Sequence, residues 1–139
     1  MTDIIFFIIC RYNVLNDSTR GISHGEEDYC DHMDNVWNRP TSPDWSGDGW
    51  YRIMSEAGTS IPEQSPGMSH CGTAIPAWIN DTVPNKNGHL KDVKVCMDWD
   101  IGDDDCFQEI STGVTKCLDF IVYYLVNTPT CDVRYCTSD

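Results

Sequence analysis

The sequence predicts a mainly β fold, namely a small disulfide-stapled single domain of short antiparallel strands with long loops. Three observations support this prediction. No segment sustains the 3.6-residue hydrophobic period of an amphipathic helix. Short runs of β-branched and aromatic residues are instead separated by turn-forming Gly, Pro, Asn and Asp. The 139 residues also include eight cysteines spread along the chain, which is typical of domains that depend on disulfides.

The cysteines favour disulfides because they are even in number and lack the short spacings of zinc sites. Four bridges would each contribute roughly 2–4 kcal/mol, and the sequence alone leaves about 105 connectivities open. Disulfides persist in oxidising compartments, so we expect a secreted, extracellular protein. The alternative is that reduced cysteines serve as small core residues. The predicted disulfide cysteines are Cys10, Cys30, Cys71, Cys96, Cys106, Cys117, Cys131 and Cys136.

The chain opens with an apolar run over residues 4–9 that is too short to span a bilayer. No basic residue precedes this run and no small-residue cleavage site follows it, so it is a poor signal peptide. We interpret residues 1–9 as the remnant of a signal or as a first strand. Residues 10–139 form the predicted domain.

The predicted strands follow in chain order. WYRIM (50–54) comes after a Gly-rich turn. KDVKVCM (91–97) alternates apolar and polar residues, which predicts a strand with one face in the core. CFQEI (106–110) and TGVTKCL (112–118) predict two short strands, and FIVYYLV (120–126) predicts a strand covered on both faces, on which the core is built. DVRYC (132–136) returns the chain before a short polar tail.

Two N-x-[ST] acceptor sequences point to N-glycosylation on surface segments. One begins at Asn80, just after the apolar Trp78, which we expect to be buried, and the other begins at Asn16 in a polar stretch. The alternative for Asn80 is an unmodified turn residue.

The formal net charge of −13 excludes nucleic acid as a partner, because a phosphate backbone needs a basic face. Solubility is the simplest role for this charge, and weak calcium or mineral binding is the alternative. The candidate calcium ligands fall within eight residues, but they lack the EF-hand pattern and also fit a solvated hairpin tip. These ligands are Asp98, Asp100, Asp103, Asp104 and Asp105.

Catalysis is not predicted. The adjacent Ser-His pairs, Ser23-His24 and Ser69-His70, lie in no nucleophile motif, and the four histidines lack helical zinc spacing. We expect no cofactor beyond weak calcium.

Several segments resemble one extracellular family in their order along the chain. They are WYRI (50–53), CGTAIPAWINDTVP (71–84), VCMDW (95–99), TKC (115–117), FIVYYLVNTPTC (120–131) and RYC (134–136). This order is similar to that in the eight-cysteine domain of uromodulin and the pancreatic secretory granule membrane glycoprotein. Upstream residues resemble the same domain, namely Cys10, Tyr12, Leu15, Arg20 and Cys30-Asp31.

The resemblance implies a non-catalytic, secreted or surface-displayed structural or recognition module of matrix or mucus type. It also implies that a glycan at Asn80 serves as a ligand for lectins or other extracellular glycoproteins. The family usually has adjacent cysteines where this chain has Asp105-Cys106, and often another cysteine ahead of Cys71. Their joint absence implies the loss of one whole bridge, which requires that Cys106 is not a free thiol.

Overall fold

The computed structural model describes residues 10–33, 40–97, 99 and 106–139. The run at residues 1–9, predicted as a signal remnant or first strand, therefore lies outside the described residues. One short 3-10 helix, η1, covers Ser18–Arg20. The described strands are β1 Asn13–Leu15, β2 Gly49–Ile53, β3 Ile75–Ile79, β4 Lys91–Met97, β5 Gln108–Cys117, β6 Phe120–Leu125 and β7 Val133–Tyr135.

All seven strands belong to one curled, mixed sheet with the order β1-β2-β6-β5-β4-β3-β7. The four pairings in the middle of this order are antiparallel. The two outermost, β1 with β2 and β3 with β7, are parallel. The predicted mainly β, disulfide-stapled fold class is confirmed. Parallel partners need a long connection, so a sequence pattern does not reveal them.

The sheet curls around one apolar core to which every strand contributes. The chain that follows β1 reaches the opposite edge, where the Thr137 amide donates to the Arg20 carbonyl at 2.9 Å. The inward-facing core residues include Leu15, Tyr51, Ile53, Ile75, Ala77, Ile79, Val93, Val95, Met97, Val114, Tyr123, Leu125, Val133 and Tyr135. In the described part of the chain no helix has the length and apolar character needed to cross a bilayer.

β4 confirms the predicted alternation. Val93, Val95 and Met97 are buried in the core, whereas Asp92 and Lys94 are exposed on the outward face. The alternation of the sequence is sufficient here because one face of the strand packs on the core and the other faces water.

β5 corrects the prediction of two short strands at 106–110 and 112–118. The structure has one ten-residue strand, and Gly113 lies within it without interrupting it. A Cβ at Gly113 would be 3.4 Å from Leu90 Cδ1 and 3.7 Å from Trp50. The glycine therefore provides room for the outward-facing side chains of Leu90 and Trp50.

β6 is covered less completely than predicted. Tyr123 and Leu125 face the core, and Val122 is buried on the other face in a small cluster with Cys117. Tyr124, on that same outward face, is 37% exposed. The prediction of a strand covered on both faces is therefore wrong for the Leu125 end of β6.

The sequence patterns did not indicate β3, although Trp78 within it is buried as expected, at 6% exposure. β3 contains Pro76, and proline lacks the backbone N–H of a central strand. The structure accommodates Pro76 because β3 pairs with the three-residue β7 near one edge of the sheet.

Four disulfides join all eight cysteines. Three of them connect distant segments, and the fourth closes a ten-residue separation. Cys106 is paired, as the loss of one whole bridge requires. The pairs are Cys10–Cys117, Cys30–Cys131, Cys71–Cys136 and Cys96–Cys106.

Candidate glycan-display site

The Asn80 sequon begins where β3 leaves the sheet. All five residues of β3 are buried, and Ile79 points into the core. The Asn80 amide still donates to the Lys94 carbonyl of β4 at 2.9 Å. Because side chains alternate along a strand, Asn80 points to the outward face, and its side chain is exposed.

Lys91 holds the other two sequon residues in place. Its ammonium donates to Asp81 Oδ1 at 2.9 Å, to the Thr82 carbonyl at 2.7 Å and to Thr82 Oγ1 at 3.0 Å. Asp81 Oδ1 also accepts from the Thr82 amide at 2.8 Å. The sequon is therefore a turn in which Lys91 contacts Asp81 and Thr82 while Asn80 is exposed.

These contacts change the ionisation of Asp81. The hydrogen bond from Lys91 and the bond from the Thr82 amide lower the pKa of this carboxyl below its ordinary value. Asp81 therefore carries its charge at neutral pH and remains paired with Lys91.

The Asn16 sequon lies beside the opposite edge strand, directly after β1. Asn16 is exposed, and its amide donates to Asp44 Oδ2 at 3.0 Å. Asp17 caps η1 by accepting from the Thr19 amide at 2.9 Å. Ser18, the hydroxyl residue of this sequon, begins η1, so the sequon is part of a folded element, unlike the turn at Asn80.

A buried charge network supports the segment that carries Asn16. The Arg20 guanidinium, fully buried, binds Asp31 through two hydrogen bonds of 2.6 and 2.7 Å. It also binds both carboxylate oxygens of Asp44 and the Tyr135 carbonyl. Burial alone would lower the pKa of Arg20, but the two carboxylates outweigh burial and raise it. Burial would raise the pKa of Asp44, yet the Arg20 contacts lower it.

A second buried arginine extends this network. Arg134 donates to Ser42 Oγ at 2.9 Å and to the Cys71 carbonyl at 3.0 Å, and it lies 3.1 Å from Asp17. Burial and the charge of Arg20 lower its pKa. Arg20, Asp31 and Arg134 stood out in the sequence only as parts of the family resemblance, and nothing local marks Asp44 as the partner of Arg20 or Asp17 as the partner of Arg134. The network supports the fold, because its acids and bases are paired with one another.

The five aspartates predicted as calcium ligands, from Asp98 to Asp105, lie outside the described residues. Next to them, Cys96, Cys106 and Glu109 come within 4.8 Å of one another. Both sulfurs belong to a disulfide, so they offer no thiolate to a metal.

The Ser-His pairs form no catalytic arrangement. Ser69 donates to Glu26 at 3.0 Å, while His70 Nδ1 contacts the Ile22 carbonyl at 2.9 Å. His24 pairs with Glu27 at 3.0 Å on the surface. Each of these histidines is therefore engaged with a group other than its neighbouring serine.

Comparison with protein families identifies the scaffold that carries these residues. The family model of the "Uromodulin-like" eight-cysteine domain matches residues 51–137. The match begins within β2 and includes β3 to β7 and the Asn80 sequon. The chain belongs to this family.

Curated relatives of the uromodulin-like domain extend the match. The pancreatic secretory granule membrane major glycoprotein GP2 of Mus musculus is 29% identical over 141 residues, covering 96% of this chain. The GP2 of Canis lupus familiaris is 34% identical over 65% of this chain, and uromodulin of Rattus norvegicus is 31% identical over 65%. The chain spans 24%, 18% and 14% of these relatives. It therefore corresponds to one module of much longer glycoproteins.

Proposed function

We propose that this chain is a non-catalytic extracellular recognition module that displays an N-glycan at Asn80 to lectins or other extracellular glycoproteins. The observation that carries the proposal is the position of Asn80 at the end of β3. Its side chain is exposed on the outward face, and its backbone is anchored to β4 by the hydrogen bond to Lys94. A rigid base of this kind presents a glycan in a defined direction at little entropic cost.

The disulfides support an extracellular compartment. Four bridges in 139 residues are typical of proteins that form in an oxidising environment. The names of the GP2 relatives, as granule membrane glycoproteins, support the same setting. We therefore place the chain in a secreted or surface-displayed glycoprotein of matrix or mucus type.

Display at Asn80 is tested with three proteins secreted from a eukaryotic cell line: the unchanged chain, Thr82→Ser and Thr82→Ala. Serine keeps a sequon and a hydroxyl near Lys91, whereas alanine removes the acceptor sequence but keeps Asn80. We expect a mannose- or N-acetylglucosamine-binding lectin to capture the first two and to lose the signal contributed by Asn80 in the third. A second set in the Asn16→Gln background removes the contribution of the other sequon. Equal capture of Thr82→Ala and Thr82→Ser in that background contradicts the proposal.

A second candidate function is calcium or mineral binding by the acidic segment. One structural observation favours it: the Cys96–Cys106 disulfide closes the ends of the segment that contains all five aspartates. A closed loop limits how far its carboxylates can separate, and calcium binds several carboxylate oxygens at about 2.3–2.6 Å. Calorimetry with millimolar calcium chloride tests this function. The control replaces Asp103, Asp104 and Asp105 with asparagine, and the absence of calcium-dependent heat in the unchanged chain removes the candidate.

A further inference from the structure

The outward face of the sheet carries a row of side chains across four strands. The strand registers align Trp50 of β2 with Tyr124 of β6, Tyr124 with Gly113 of β5, and Gly113 with Asp92 of β4. Residues aligned in this way share a face, and their Cα atoms lie about 4.5–5.5 Å apart. The neighbours along the strands, such as Tyr51, Val93 and Val114, point to the core. The row therefore faces away from the core.

An apolar patch lies along this row, and we define it as the partly buried Trp50 and the exposed Tyr124 of the row with the exposed Leu90, which precedes β4, around Gly113. The Trp50 and Tyr124 rings meet edge to face with centroids 5.4 Å apart. Leu90 is 57% exposed and Tyr124 is 37% exposed. Because Gly113 has no side chain, the three apolar groups come together over it, and a Cβ there would lie within 3.7 Å of each of them. Apolar groups brought together on a sheet face offer a contact surface to a partner.

Asn80 lies on the same outward face of the sheet. Its amide hydrogen bond aligns it with Lys94, which is aligned with Ser111 of β5. This row lies two residues along the strands from the row that holds Tyr124. From the spacings of a sheet, the Cα atoms of Asn80 and Tyr124 lie about 16 Å apart. A few linked pyranose rings span such a distance.

The surface between Asn80 and the patch suits a carbohydrate. Lys94, Ser111 and Asp92 are exposed and polar, so they offer donors and acceptors to sugar hydroxyls. The aromatic rings beyond them offer apolar faces with negative π density, against which the C–H groups of a pyranose ring pack. A glycan fixed at Asn80 is the occupant that this arrangement fits, because its attachment point lies on the same face and within reach.

We propose that the inner sugars of the Asn80 glycan cross Lys94, Ser111 and Gly113 and pack on the patch formed by Trp50, Leu90 and Tyr124. This inference rests on the proposed glycan display at Asn80 and adds a direction to it. The inner sugar rings lie along the sheet. The outer branches of the glycan project past Trp50, where a lectin reaches them. Attachment makes the contact intramolecular, so weak individual contacts suffice to hold it.

The test uses the secreted protein, with occupancy of Asn80 first measured by mass analysis of the glycopeptide. The melting temperature is then measured before and after enzymatic removal of the glycan, for the unchanged chain, Tyr124→Ser and Leu118→Ser, all in the Asn16→Gln background so that the Asn80 glycan is the one removed. Leu118 is an exposed apolar residue in the β5–β6 turn, at 64% exposure, and lies away from the patch. The comparison is a double-mutant cycle between the glycan and the side chain.

We expect glycan removal to lower the melting temperature of the unchanged chain and of Leu118→Ser by about 2–4 °C. In Tyr124→Ser the shift falls below half of that value. We also expect nuclear Overhauser effects between sugar protons and the ring protons of Tyr124 or Trp50 in the glycosylated protein. These effects report contact directly and do not depend on how the variants fold.

The possible results separate this inference from the proposed function. An unoccupied Asn80 overturns both. An occupied Asn80 with equal shifts in all three proteins and no sugar–aromatic effects overturns the packing and leaves display intact. A concentration-dependent dimer that Tyr124→Ser abolishes, with an unchanged glycan shift, assigns the patch to a second copy of the chain and overturns the packing as well.

Discussion

Two regions of this domain are held together by different interactions. In the sheet formed by β4, β5 and β6, long antiparallel registers and alternating apolar residues account for the structure. The described residues between 10 and 45 contain only β1 and η1 as regular elements. There, the buried ion pairs of Arg20 with Asp31 and Asp44, and the Cys10–Cys117 and Cys30–Cys131 bridges, hold the chain. Covalent and charged contacts thus replace the missing regular structure.

The largest contrast between the regions is expected from their disulfides. Removing Cys30–Cys131 with paired alanines opens a separation of 101 residues, and removing Cys96–Cys106 opens one of 10. The loop-entropy model gives losses of about 4.7 and about 2.7 kcal/mol in the free energy of unfolding. Urea unfolding of both double variants measures the difference. A larger loss for Cys96–Cys106 contradicts the view that long-range bridges hold the N-terminal region.

The buried ion pair gives the next largest effect. Asp31→Ala leaves the buried Arg20 with Asp44 as its remaining carboxylate and also removes the acceptor of the Tyr135 amide. An uncompensated buried charge costs about 3–5 kcal/mol, so we expect a loss of about 3 kcal/mol. Asp31→Asn keeps the shape but removes the charge, and it should retain part of the stability. Urea unfolding with the disulfides intact is the measurement, and a loss below about 1 kcal/mol in Asp31→Ala contradicts this role.

Alkaline pH should act on the sheet region through Tyr123. Burial raises the pKa of Tyr123 from 10.0 to about 12. Between these values the folded state keeps a proton that the unfolded state has lost, so stability falls as pH rises. By pH 12, where the folded Tyr123 is half ionised, this loss amounts to about 2 kcal/mol. Tyr123→Phe should lose less stability between pH 10 and pH 12 than the unchanged chain, as followed by urea midpoints. An equal fall in the urea midpoints of both proteins between pH 10 and pH 12 would contradict this role of Tyr123.

The N-terminal region should lose stability as pH falls, whereas the sheet region loses stability as pH rises. The lowered pKa values of Asp17 and Asp44 mean that these carboxylates stabilise the fold above about pH 4. Their contribution is lost as pH falls below 3.8, through the lowered values of the folded state. The N-terminal region should therefore be the first to respond to acid.

The smallest effect is expected at an exposed ion pair of the sheet. Lys94 and Glu109 lie 3.3 Å apart, but both side chains are about half exposed. Solvent screens such pairs, so Lys94→Met should change the free energy of unfolding by no more than about 1 kcal/mol. Asp31→Ala breaks a buried ion pair and Lys94→Met breaks an exposed one. Comparing the two variants shows how much of the stabilisation by an ion pair depends on its burial. A loss equal to that of Asp31→Ala would remove the distinction between the two regions.

The same contrast explains what the sequence was able to predict. The bounds of β4 were predictable from the alternation of apolar and polar residues, because successive residues of this strand face the core and the solvent in turn. The buried network was not predictable, because Arg20 meets partners 11 and 24 residues away and Arg134 meets residues 92 and 63 away. No local period encodes such contacts. The disulfide pairing was open for the same reason.

The candidate site divides in the same way. The Asn80 sequon was recognisable from three consecutive residues of the sequence, and the exposure of Asn80 matches the expected surface placement. The Lys91 contacts and the outward apolar patch required the registers of four strands. Gly113 shows the difficulty, because the sequence does not reveal which neighbouring side chains lie over a glycine inside a strand.

The most direct test of the account is the mass of the peptide that contains Asn80, taken from protein secreted by eukaryotic cells. We predict that this peptide carries an N-glycan, and that peptide N-glycosidase, which hydrolyses the side-chain amide bond, converts Asn80 to aspartate with the corresponding mass change. An unmodified peptide from protein with all four disulfides formed would contradict the proposed display function.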